Sequence, residues 1–296
     1  MGSPLRPTGT FVPLVTPFGE DGAVDHDSLA ALASAVIDAG ARGVVALATT
    51  GEPTSLDQEE RDAAVATVAD ICKERGAQLI VGAATNDTRE TLKRHERLAD
   101  VPQVAASLAV VPYYVRPSEQ AIVAHFQYIA ERSPVPLVLY NIPYRTGRGL
   151  GAEALLELAA TPNVAGVKQA VGGIDADTLR VLAERPDDFS VLGGDDPYLA
   201  PMVLMGAQGA IAASANVATD RYVEMIDAAL QGDAATTRER AASLLSLSLA
   251  LFAEPSPAVI KALLHHLGAI PTKDVRMPLA NASEEATKRA IEVYEL

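Results

Sequence analysis

Short apolar or β-branched runs alternate with amphipathic stretches along this chain, and the alternation recurs eight times before residue 232. The strand-like runs cover residues 11–18, 43–49, 78–84, 104–111, 136–142, 164–170, 189–194 and 209–215. Helix-like segments follow at 27–39, 57–73, 88–99, 118–131, 152–159, 175–184, 197–205 and 220–230. Several carry start signals: Ser118 stands before Glu119, Asp57 has Glu60 three residues on, and Asp175 opens the sixth segment. Gly40, Gly76 and Gly232 are stop signals.

Most of the strand-like runs are continuously apolar rather than alternating. That is the pattern of parallel strands covered on both faces, and the helical spacers are long enough for βαβ crossovers. Eight such units predict an α/β chain folded as a (β/α)8 TIM barrel rather than an open doubly wound sheet. After residue 232 the pattern changes to three helix-like segments, 236–252, 257–267 and 284–294, broken at Pro255, Pro257 and Pro271. The expected organisation is a barrel over residues 1–231 and a helical extension over 232–296.

Composition narrows the function classes. The 296 residues are 49% hydrophobic and 21% charged, enough to fill a large core. Lys and Arg number 24 against 38 Asp and Glu, a formal charge of −14 that disfavours nucleic acid as a partner. A single cysteine, Cys72, forms no internal disulfide and no Cys-rich zinc site, and it reads as a core residue on a helix face. The most lipid-like stretch, 241–252, falls short of the roughly 20 residues a spanning helix needs. The opening Met1-Gly2-Ser3-Pro4-Leu5-Arg6 lacks the apolar core of a signal peptide. These features predict a cytoplasmic protein without membrane partners.

Candidate chemistry gathers at the C-terminal ends of the strand-like runs, the functional face of a barrel. Lys168 lies among apolar residues on the sixth. Taking an ammonium group out of water favours the neutral, nucleophilic amine, the form that makes an imine with a carbonyl substrate. A lysine snorkelling from a strand end or held in an ion pair would look the same in sequence. Thr49-Thr50-Gly51-Glu52 follows the second run and offers hydroxyl and backbone donors for a carboxylate, or an ordinary turn. Tyr140-Asn141-Ile142-Pro143-Tyr144-Arg145-Thr146-Gly147 ends the fifth, with a phenol able to move protons and an arginine able to grip a carboxylate in two prongs. Pro112-Tyr113-Tyr114 ends the fourth, although tyrosines there also serve as packing residues. Gly194-Asp195-Asp196 reads as a helix start rather than a metal site, and His265-His266 has no acidic partner at zinc spacing. No G-x-S-x-G, phosphate-loop or dinucleotide glycine motif occurs.

Taken in order, Thr-Thr-Gly-Glu, Pro-Tyr-Tyr, Tyr-Asn-Ile-Pro-x-Arg-Thr-Gly and Gly-Val-Lys resemble the dihydrodipicolinate synthase / N-acetylneuraminate lyase family of class I Schiff-base aldolases. The resemblance runs from Thr10 to the C-terminus and includes Thr16-Pro17-Phe18, Asp21-Gly22 and Gly194-Asp195-Asp196. It implies that Lys168 attacks the 2-oxo carbon of pyruvate, giving an imine and then an enamine nucleophile. It implies that Thr49 and Thr50 hold the pyruvate carboxylate and pass protons, with Gly51 beside them, that Tyr140 shuttles protons, and that Tyr114 reaches into a neighbouring subunit's site to complete a Tyr–Thr–Tyr proton relay. Ile211 matches the eighth-strand position beside the lysine. Such a site needs no metal, flavin or nicotinamide, because the lysine is the electron sink. A donated Tyr114 implies a homo-oligomer, a dimer or a dimer of dimers.

Arg145 matches the arginine that binds the carboxylate of aspartate semialdehyde in the synthase branch, which makes 4-hydroxy-tetrahydrodipicolinate on the way to lysine and diaminopimelate. Gln169, Pro53 and Ala48 depart from the family pattern, where an acidic residue, a small residue and glycine are usual. A lyase or dehydratase of 2-keto-3-deoxy sugar acids or N-acetylneuraminate is therefore the nearest alternative, and a non-catalytic metabolite-binding barrel a remote one. Asn86, Glu90 and Tyr113 match part of a lysine feedback site, but Gln58 and Arg61 stand where its histidines would be. The added positive charge predicts weak or absent inhibition by lysine.

Overall fold

The computed structural model describes residues 5–296, so the first four residues of the stretch inspected for a signal peptide lie outside it. Eight parallel strands close into a barrel in sequence order: β1 (Gly9–Pro13), β2 (Gly43–Ala46), β3 (Gln78–Gly82), β4 (Val104–Val110), β5 (Leu137–Asn141), β6 (Val164–Gln169), β7 (Ser190–Gly193) and β8 (Gly209–Ile211). The crossovers run through α1 (His26–Asp38), α2 (Gln58–Arg75), α3 (Thr88–Arg97), α4 (Glu119–Ala130), the one-turn α5 (Pro143–Thr146), α6 (Ala152–Ala159), α7 (Ala176–Glu184) and α8 (Leu199–Leu204). Then come α9 (Thr219–Leu230), α10 (Ala234–Leu251), α11 (Ala258–His266) and α12 (Glu284–Tyr294). The alternation in the sequence is thus the TIM barrel it predicts. No helix among the described residues is long and apolar enough to cross a membrane.

The start signals act as the sequence implies. Asp57 and Glu60 form a reciprocal capping box on α2, Ser118 accepts from Ala121 N on α4, and Asp175 accepts from Thr178 N on α7. Gly76 ends α2 in a left-handed turn at φ 66°. The barrel closes where Gly9, Thr10 and Phe11 pair with Gly209, Ala210 and Ile211. Here a glycine is required, since a β-carbon at position 209 would fall 2.1 Å from the Gly9 carbonyl oxygen.

The strands stop earlier than the apolar runs that mark them. Residues 14–18, read as part of the first strand, leave the sheet while staying buried, because their polar groups find other partners. Leu14 N donates to Val45 O, Val15 N to the Asn216 side chain, and Thr16 Oγ1 to Gly51 O. Hydrophobic patterning reports burial, and at this end of the barrel burial outlasts strand pairing.

Two apolar clusters result. One fills the barrel interior with Phe11, Val45, Ile80, Leu108, Val138 and Ile211. The other lies between strands and helices and also takes in Leu247, Leu251, Val259, Ile260 and Leu263 from α10 and α11. The C-terminal helices therefore share the barrel's outer core. Tyr222 of α9 and Ser248 of α10 meet in a 2.6 Å hydrogen bond inside it.

Candidate active site

Side chains alternate across β6, and this decides what each residue of Gly166-Val167-Lys168-Gln169 does. Lys168 is 5% exposed and pairs in register with Tyr140 of β5. Tyr140 belongs to the interior cluster, and the Lys168 Nζ sits 4.4 Å from its ring centroid, a cation–π contact. The aliphatic stem of Lys168 passes Gly194, where a β-carbon would come within 2.8 Å of Cε. The glycine after β7 thus makes the room the lysine occupies.

Gln169, one residue on, takes the opposite face. It accepts from Asn141 Nδ2 at 3.0 Å and donates to Thr178 Oγ1 of α7 at 3.0 Å. Asn141 is also clamped to Leu150 through both its amide oxygen and its amide nitrogen. The departure at Gln169 is therefore a buried bridge between barrel and helix, on the side away from Lys168.

Thr49, Thr50 and Gly51 form a single 3-10 turn beyond β2. Thr50 is buried, Thr49 half-buried, and Thr16 Oγ1 fixes the turn from below by donating to Gly51 O at 2.7 Å. Glu52 leaves the turn in the left-handed region, at φ 53° and ψ 42°. Ala48 forms the wall before the turn, and Pro53 starts a second 3-10 turn whose first carbonyl accepts from Arg61.

A cavity of about 540 Å³ opens over these elements, lined among others by Thr49, Tyr113, Tyr140, Arg145, Arg61 and Arg94. Tyr140 lines it and touches Lys168, so the phenol joins the lysine to the open space. Arg145 rides on α5, a turn the sequence reading did not foresee because Pro143 opens it and only four residues form it. Ile211 is fully buried in the interior cluster and does not line the cavity.

Tyr114 stands apart from this set. It is 88% exposed, has φ 70°, and does not line the cavity of its own chain, whereas Tyr113 does. Arg116, also left-handed at φ 47°, donates from Nε to Gly147 O and latches this loop to the end of α5. Two non-glycine residues with positive φ in one short loop mark a conformation held by its surroundings.

The acidic pair after β7 does not cap the following helix, contrary to the sequence reading. Asp195 accepts from Tyr144 OH at 3.0 Å and from Gly172 N at 2.7 Å, tying together the loops after β5 and β6. Asp196 is buried and accepts from Ala213 N and Ser214 N beyond β8. Burial pushes its carboxyl up, and hydrogen bonds from Ser214 pull against that shift. Both carboxylates are spent on loop geometry. Among the described residues no group of three or more His, Cys, Asp or Glu is placed to hold a metal ion. Cys72 is 1% exposed on α2, and burial pushes its thiol up to about 12.

Sequence reasoning gave no role to Thr16, Gly194 or Lys261. Lys261 had a signal: it is the one cation in the run Ala258-Val259-Ile260-Lys261-Ala262-Leu263-Leu264, and a charge in so apolar a run needs a buried partner. That partner is Glu52, 2.9 Å away.

An eight-stranded parallel barrel with a lysine in its interior, a phenol against it and a hydroxyl turn at the rim defines a Schiff-base lyase. The chain matches the model of the Dihydrodipicolinate synthetase family over residues 6–294, and it belongs to that family. It is 37% identical over 276 residues to a 4-hydroxy-tetrahydrodipicolinate synthase of Neisseria meningitidis, covering 93% of this chain and 94% of the relative. It is 38% identical over 271 residues to the enzyme of that name from Pseudomonas aeruginosa, covering 92% and 91%. Among solved structures, dihydrodipicolinate synthase from Acinetobacter baumannii complexed with pyruvate superposes with a TM-score of 0.93 at 31% identity, covering 97% of this chain and 98% of that one.

Proposed function

We propose that this chain condenses pyruvate with aspartate semialdehyde to 4-hydroxy-tetrahydrodipicolinate. The observation that carries the reading is the placement of Lys168: inside the barrel, in register with Tyr140, its stem against a glycine. The Lys168 amine adds to C2 of pyruvate, and loss of water gives an imine. Loss of a methyl proton turns this into an enamine, whose carbon attacks the aldehyde carbon of the second substrate. The amino group of that substrate then attacks the imine carbon, closing the ring and releasing Lys168. Tyr140 moves protons between the lysine and the cavity. Thr49, Thr50 and Gly51 receive the pyruvate carboxylate, and Arg145 grips the carboxylate of the aldehyde. Ile211 walls the lysine from the β8 side.

In this reading residues 1–231 are the catalytic barrel and 232–296 an extension that buttresses it. The working unit is at least a dimer. Tyr114 and Val115 are 88% and 57% exposed, apolar surface that a second copy would cover while receiving Tyr114. We place the enzyme in the cytoplasm, where a lone buried thiol and a formal net charge of −14 are at home.

Borohydride reduction with pyruvate, followed by peptide mass spectrometry, tests the chemistry. The expected result is a three-carbon adduct on Lys168, and an unlabelled Lys168 overturns the mechanism. Comparing aspartate semialdehyde with 2-keto-3-deoxy sugar acids and N-acetylneuraminate tests the substrate. Turnover of a sugar acid in preference to the semialdehyde would replace this reading with the lyase alternative.

A further inference from the structure

Glu52 ends the Thr49-Thr50-Gly51 turn, and its carboxylate is buried against the C-terminal helices. Lys261 of α11 donates from Nζ to Glu52 Oε1 at 2.9 Å, with the two side chains 0% and 1% exposed. The other carboxylate oxygen accepts the backbone N–H of Arg276 at 2.8 Å. The Lys261 Nζ also lies 4.0 Å from the ring centroid of Phe18.

A buried ion pair of this kind is a poor source of stability, because desolvation of both charges offsets their attraction; what it provides is a single defined geometry. The geometry here is an unusual one. Glu52 is a non-glycine residue in the left-handed region, wedged between two 3-10 turns. Such a backbone persists only where its surroundings hold it.

The backbone carbonyls of this segment are held by side chains from other elements. Arg61 takes the carbonyls of Pro53 and Leu56, and Arg276 takes that of Ser55 while pairing with Glu60. Thr16 takes the Gly51 carbonyl. The Thr49 side chain is thereby left to face the cavity rather than to stabilise its own turn, with Thr50 buried behind it. Lys261 does not line the cavity, so it acts on the site through Glu52 alone.

We propose that the Lys261–Glu52 ion pair is a positioning device by which α11 holds the Thr49-Thr50 turn in the shape that receives the pyruvate carboxylate. This rests on the Schiff-base reading above and assigns the C-terminal helices a part in pyruvate binding. Lys261 and Glu52 are positioning residues and touch no substrate.

The test compares wild type with Lys261→Met, Glu52→Gln and the double variant that leaves no unpaired buried charge. Wild-type protein is first reduced with borohydride in the presence of pyruvate. A missing adduct there overturns the reading on which this inference rests. With the adduct present, the single variants raise the KM for pyruvate about tenfold, while the KM for the aldehyde holds and saturating pyruvate still labels Lys168. The double variant regains thermal stability but keeps the raised pyruvate KM. A purely structural pair would instead lower Tm and leave the pyruvate KM of the folded protein at its wild-type value, and that outcome overturns the proposal. Where Lys261→Met fails to fold, the double variant and Glu52→Gln decide by the same criterion.

Discussion

Gly194 stands where any side chain would overlap the stem of Lys168: a β-carbon there would lie 2.8 Å from Cε and 2.9 Å from Cγ. Ala170 Cβ would be equally close, at 2.9 Å, so a side chain at position 194 meets a second neighbour besides the lysine. Gly194→Ala is expected to displace the amine and to cost about 1–3 kcal/mol of stability through overpacking. Borohydride trapping would fall sharply, even where circular dichroism shows a folded barrel. A variant trapped as efficiently as wild type would show that the lysine does not need this path.

The outward bridge at Gln169 makes the opposite prediction. Glu at this position still accepts from Asn141, reverses the bond to Thr178 by accepting from its hydroxyl, and faces α7 rather than the reacting atoms. Gln169→Glu is expected to leave kcat/KM near the wild-type value in steady-state assays. A large loss would mean that the departure from the family pattern bears on the chemistry after all. Gln169→Leu would instead leave one of the two Asn141 amide N–H groups without an acceptor, the other keeping Leu150 O, and cost about 1–3 kcal/mol, read as a lower denaturant midpoint.

Two buried histidines set an acid limit. His95 lies between Ser133 Oγ and Ser107 Oγ, each at 3.0 Å, and His125 meets Thr88 Oγ1 at 2.8 Å. Burial pushes both down to about 4 from 6.5, with the neighbouring His125 charge adding to the shift at His95. The folded state therefore binds fewer protons than the unfolded state between these values. Stability is full above pH 6.5 and is lost as pH falls towards 4, by up to about 1.4 kcal/mol per pH unit for each histidine. Glu60, held down at about 2 by the Arg276 guanidinium, stays ionised throughout that window, and the raised carboxyl of Asp196 acts in the opposite direction. Denaturation at pH 7 and pH 5 should show this loss in wild type and a smaller one in His95→Gln. Equal losses would place the acid sensitivity elsewhere.

Lysine is expected to inhibit weakly or not at all. Arg61 and Arg94 line the cavity beside Tyr113, and Arg61 is anchored there by the Pro53 and Leu56 carbonyls. A fixed guanidinium repels the ammonium groups of a lysine effector. Titrating lysine at half-saturating pyruvate checks this, and half-maximal inhibition in the sub-millimolar range would refute it.

Much of the fold was legible in the chain because it rests on local rules. The apolar period marked all eight strands, and the caps at Asp57, Ser118 and Asp175 lie within one turn of the atoms they bind. The strand ends were overread, since residues 14–18 are as buried as a strand and make their hydrogen bonds to Val45, Asn216 and Gly51. The motif order pointed to the family, and Lys168 and Tyr140 followed from it. Their adjacency is a matter of register between neighbouring strands, which the barrel topology dictates once the strands are placed.

What the tertiary structure alone decided are relations between residues far apart in sequence. Asp195 and Asp196 read as caps, but their acceptors' partners, Tyr144, Gly172 and Ser214, arrive from three other loops only when the barrel closes. Gln169 looked like a change in the site until the alternation along β6 turned it to α7. Glu52 and Lys261 are separated by 209 residues, and no local pattern links them. Periodicity and capping are written in neighbouring residues, and so the sequence determines them by itself. A buried charge must find its counterion wherever the fold brings one, and that is settled only in three dimensions.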